Sequence, residues 1–153
     1  MNFTSLKSVL TPSVIALAIS LGLFAPGSGA RAQTSTLHVV ANIPFDFRSG
    51  SEMMPAGKYD IQTLSTHVLM VRGTTQNRGQ LLIAMDALTL KPSAHGKLIF
   101  HRYGNKYFLY QVWSPDQPYG FEFPKGRAEK ETIRAANIPA PTTTELALND
   151  PLR

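Results

Sequence analysis

Four histidines, at positions 38, 67, 95 and 101, are the first residues whose chemistry needs an account. No two of them stand at the close spacing of a strand or helix ligand set, and no carboxylate cluster completes a metal site. The chain has no cysteine, which excludes a disulfide framework, a thiolate site and a catalytic thiol. No Gly-x-Ser-x-Gly elbow is present, and Ser49, Ser51, Ser65 and Ser93 stand where turn chemistry accounts for them. Asp46, Glu52, Asp60 and Asp86 fall on separate elements, so sequence does not pair them for acid–base work. No glycine cluster opens a helix to cradle phosphate. This pattern implies no cofactor and supplies no catalytic motif.

One stretch concentrates chemically useful groups. His101, Arg102, Tyr103, Tyr107, Tyr110 and Trp113 lie within two adjacent runs. His101, Arg102, Tyr107, Tyr110 and Trp113 form a candidate ligand surface, because aromatic rings beside a guanidinium stack on sugars, peptides or other rings. The competing reading is structural: Arg102 stacks on Tyr107 across the strands and the aromatics fill the core.

These groups need a scaffold, and the surrounding pattern is that of a β protein. Lys97–Tyr103 and Lys106–Trp113 are aromatic and β-branched runs joined by Gly104-Asn105, a two-residue hairpin turn. That turn sets Tyr103 opposite Lys106, Arg102 opposite Tyr107, His101 opposite Phe108, Phe100 opposite Leu109 and Ile99 opposite Tyr110. One face would then carry Leu98, Phe100, Arg102, Tyr107, Leu109, Gln111 and Trp113. The other would carry Ile99, His101, Tyr103, Phe108, Tyr110 and Val112. Upstream, residues 36–42 are a β-branched strand candidate extended by 43–47, where Ile43, Phe45 and Phe47 alternate and Pro44 marks an edge or bulge. Residues 58–64 alternate again, and 67–72 reads as a central strand. Residues 81–90 are ambiguous between strand and helix by periodicity and are read as strand from their neighbours. Six or seven antiparallel strands predict an all-β sandwich or small barrel over residues 33–124. Residues 125–136 form a short charged helical segment and 137–153 a mobile Pro/Thr-rich tail.

The first 32 residues do not belong to that body. Lys7 precedes an apolar run from Val14 to Ala25, then Pro26, Gly27 and Gly29, then Ala30-Arg31-Ala32. This is a secretory signal with cleavage after Ala32, and the run falls short of the about 20 apolar residues needed to cross a bilayer. No twin arginine precedes it, so export follows the general secretory route to the periplasm or beyond, with no membrane span after cleavage. Cleavage removes Lys7 and Arg31 and no acid, leaving 13 basic residues against 10 acidic from the 15 and 10 of the full chain of 153. The remaining basic residues are scattered along the chain rather than gathered on one stripe, which excludes nucleic-acid binding.

Pro44-Phe45-Asp46-Phe47, Pro55-Ala56-Gly57-Lys58-Tyr59 and the hairpin from Leu98 to Leu109 with Trp113 resemble a group of small exported bacterial β-rich proteins of unknown function. The likeness spans residues 38 to 131. It implies secretion and a β fold and carries over no functional residue. The function expected from sequence is a non-catalytic module of the cell envelope that binds a small molecule or an envelope component. A self-assembling structural protein is the alternative, and a hydrolase or isomerase with a site formed only in three dimensions comes last.

Overall fold

The computed structural model describes residues 36–136 and 140–148, so the expected signal segment lies outside the described residues. Eleven strands and one helix are present among them. The first sheet is antiparallel, with β4 (Gly57–Ser65) and β5 (Val68–Gly73) inside. Its edges are β1 (His38–Ile43) and β6 (Gly79–Ile83). The second sheet runs β11 (Thr142–Ala147), β8 (Lys97–Tyr103), β9 (Lys106–Trp113), β10 (Tyr119–Glu122) and β7 (Met85–Leu88). The short hairpin of β2 (Phe47–Ser49) and β3 (Glu52–Met54) joins it where Arg48 pairs parallel with Phe108 of β9. The architecture is all-β and sandwich-like, and neither sheet closes into a barrel.

Alternation explains the core. Val39, Ala41 and Ile43 of β1, Tyr59 and Ile61 of β4, and Leu69 and Val71 of β5 occupy every second position and are buried. From the facing sheet, Leu98, Phe100, Leu109, Val112 and Phe121 join the same cluster with Phe47 between them. Phe47 meets Tyr59 and Phe100 edge to face, with ring centroids 5.1 and 5.6 Å away.

The strand count exceeds the six or seven expected for three local reasons. Pro44 has no N–H to offer, so pairing of β1 with β4 stops at Ile43 opposite Gly57 and the chain re-enters as β2, which turns back to pair with β3. The ambiguous run is extended, but it divides at Ala84 into β6 of one sheet and β7 of the other. Residues 142–147, which by composition read as mobile tail, are β11: Thr142 to Ala147 pair antiparallel with Arg102 to Lys97. Leu148 beyond them is buried in the core, which supplies the burial that a Thr-rich strand lacks by itself. The tail expectation for 137–139 and 149–153 lies outside the described residues. Arg127–Ala136 forms helix α1, as expected. No helix among the described residues is long and apolar enough to cross a membrane.

Candidate functional site

The hairpin β8–β9 turns at Gly104, whose φ of 62° a side chain would resist. Its register runs as the turn dictates from Tyr103–Lys106 to Phe100–Leu109. Ile99 then faces Gln111 rather than Tyr110, because Tyr110 is an extra residue in a β-bulge. One inserted residue reverses the parity of everything after it. Val112 therefore turns into the core, while Gln111 and Trp113 leave the Leu98–Phe100 face on which simple alternation puts them.

The bulge builds a second buried layer outside the main core. Tyr110 lies flat on His101, with centroids 3.8 Å apart and planes at 23°. His101 Nδ1 stands 2.7 Å from Glu129 Oε1, and the Tyr103 hydroxyl donates to the same oxygen at 3.0 Å. Glu129 comes from α1 and is the helix residue that is buried. Burial first, and then the bond to the carboxylate, push the Tyr103 hydroxyl well above the usual tyrosine range. Trp113 Nε1 donates to Gln111 Oε1 at 3.1 Å, and Gln111 Nε2 donates to Glu122 Oε2 at 2.8 Å. Burial and the Glu122 carboxylate likewise raise the Tyr110 hydroxyl.

The five sequence candidates thus divide between two faces. His101 and Tyr110 belong to the layer under α1, and Trp113 lies on the same face of the sheet beside Gly120 of β10. Arg102 and Tyr107 sit at the hairpin tip, where the guanidinium lies 5.4 Å over the Tyr107 ring and Phe45 stacks on it at 4.0 Å. That is the structural alternative the sequence left open for this pair. Tyr107 also lines an open groove of about 480 Å³ with Asp46, Arg48, Lys106, Glu131 and Thr132. Glu131 there is held by Arg127 at 2.7 Å, which keeps its carboxyl below the ordinary value.

Sequence reading missed Glu129, which it placed on a solvated charged segment. Its place one turn before Ile133 is the one local sign, and the charge of an isolated carboxylate outweighs it. Two of the other three histidines form surface pairs, His38 with Asp60 and His67 with Asp86, each at 3.2 Å. No group of three or more metal-ligating side chains occurs among the described residues.

The remaining distinctive feature is the run from β6 into β7. Leu81, Ile83, Met85, Leu88 and Leu90 are each at least half exposed. Leu81, Ile83 and Met85 alternate with buried Leu82 and Ala84 and so share one outward face. Beside β6 lies an open groove of about 270 Å³, lined by Gln80–Ile83, Phe108, Leu109, Phe123, Pro124, Arg48 and Glu129. The buried carboxylate layer and the free strand edge therefore border one depression. Comparison of the chain with protein-family models, characterised proteins and solved structures returns no match.

Proposed function

We propose that this chain is a non-catalytic binding module, exported by the general secretory route to the periplasm or beyond, that engages a protein partner of the cell envelope. The observation that carries the binding reading is the aliphatic run on β6 and β7. Leu81, Ile83 and Met85, the three that share one outward face, present on the order of 300 Å² of apolar surface, within the range for the largest patch on an ordinary monomer. The hairpin aromatics offer less, because Tyr110 and His101 are spent on each other and on α1, and Trp113 is buried and bonded to Gln111. The signal-like first 32 residues and the resemblance to exported β-rich proteins support the compartment.

Two measurements test the reading. The denatured mass of protein recovered from a secreting bacterial host should correspond to cleavage after Ala32, and an intact N-terminus overturns export. A photo-crosslinking side chain placed at Leu88 should give a discrete adduct in the envelope that forms again with the purified adduct partner. The same group at Lys130, exposed on α1, should not. Equal adducts at both positions, or none at Leu88, overturn the binding surface.

A further inference from the structure

The backbone of β6 has one side paired and one side free. Gly73 N–H donates to the Arg78 carbonyl and Ala84 N–H to the His67 carbonyl, both at 2.9 Å. Antiparallel alternation carries that sense through Gln80 and Leu82, so the even-numbered residues bond β5. The N–H and C=O groups of Gly79, Leu81 and Ile83 point the other way. In β7 the opposite set is used: Thr89 N–H donates to the Pro118 carbonyl at 2.8 Å, which makes Met85 and Ala87 the residues bonded to β10. The strand therefore changes its bonded side between Ala84 and Met85. β10 ends at Glu122, and among the described residues no strand continues beside Gly79, Leu81 and Ile83. The groove opens there, between β6 and the Phe123-Pro124 segment that follows β10.

Its lining carries one guanidinium, Arg48, and one carboxylate, Glu129. The Glu129 oxygen that faces His101 and Tyr103 already accepts from both. Arg48 makes no ion pair among the described residues; its Nη1 donates to the Ser51 carbonyl at 3.1 Å. An acidic side chain entering the groove reaches the Arg48 guanidinium, whose charge is otherwise shared only at longer range with Glu131, with Phe108, Leu109 and Phe123 supplying apolar wall.

We propose that the groove takes an extended peptide segment as an added strand on β6, with apolar side chains at alternate positions and an acidic side chain toward Arg48. This rests on the partner-binding reading above and names the form of the partner. The Leu81 carbonyl currently accepts from Gln80 Nε2 at 3.2 Å, an exposed contact that an incoming N–H replaces.

The test uses residues 33–153 and the probe acetyl-Thr-Val-Asp-Val-Thr-Val-amide, with a second probe carrying Lys for Asp. Amide exchange at Leu81 and Ile83 should slow on adding the Asp probe, while Gln80 and Leu82, already bonded to β5, change little. Ile83→Pro removes an outward N–H and leaves the β5 ladder whole, so folding should persist while the probe binds roughly fivefold to tenfold more weakly. Arg48→Gln should erase the preference for the Asp probe. No protection at millimolar probe, or binding indifferent to Ile83→Pro, overturns strand addition. Protection of Leu81 and Ile83 that grows with protein concentration without probe overturns it in favour of a second copy. A Leu88 adduct that survives Ile83→Pro, with no probe binding, means that strand addition fails while the partner-binding reading stands. Loss of both sinks both.

Discussion

His101 Nδ1 and Glu129 Oε1 stand 2.7 Å apart, with both side chains buried. The contact joins the central hairpin to α1, a helix that otherwise buries no residue. Removing one partner strands the other away from water, which costs far more than the net worth of the pair. Glu129→Ala should lower unfolding free energy by roughly 3 kcal/mol. Amide exchange should quicken first in Arg127–Ala136. Unchanged exchange in the helix would mean that the carboxylate does not anchor it.

Tyr103 and Tyr110 predict an alkaline limit. Both hydroxyls, and that of Tyr59, are raised above the ordinary value by burial. A group whose folded value is raised holds its proton in the native state after the unfolded chain has lost it. Its contribution is whole below the unfolded value of about 10 and declines as pH rises above that point. Chemical denaturation from pH 8 to 11 should show stability falling over the upper part of the range. Tyr103→Phe should flatten the fall, and an equal slope in that variant would refute the assignment.

Gly120 is where β10 lies against Trp113. A Cβ there would stand 2.6 Å from the Val112 carbonyl and 2.7 Å from the indole ring, closer than atoms tolerate. Gly120→Ala should therefore cost about 1–3 kcal/mol by forcing the strands apart. The emission of Trp113, the one tryptophan, should shift to the red as its burial loosens.

Strand β11 carries weight through the residue that follows it. Leu148 N–H donates to the Gly96 carbonyl at 2.7 Å and its side chain is in the core. Leu148→Ala should destabilise by roughly 2–4 kcal/mol, whereas Thr142→Ala, at the exposed start of β11, should stay within about 0.5 kcal/mol. Equal melting temperatures for the two variants would show that β11 is not part of the cooperative fold.

The site was legible to the depth that local pattern reaches. Gly104-Asn105 between two aromatic runs located the hairpin and four of its opposed pairs, because a two-residue turn sets the register next to it. Tyr110 carries no mark of being the extra residue: it is as good a strand former as its neighbours, so the reversal that turns Val112 inward had no local sign. Glu129 was hidden by its own chemistry, since an isolated carboxylate in a charged segment belongs in water until a distant imidazole and phenol are brought to it.

The order of apolar and polar residues determined by itself that this chain is β, that its center is the Lys97–Trp113 hairpin and that 127–136 turns helical. Those are matters of side-chain period and turn chemistry within a few residues. Tertiary structure alone decided that Gly79–Leu88 serves both sheets through opposite edges, that a Thr-rich segment becomes β11, and that Glu129 is buried. Each depends on which strand arrives alongside, and a strand's own period records which face it buries but not the partner beside it.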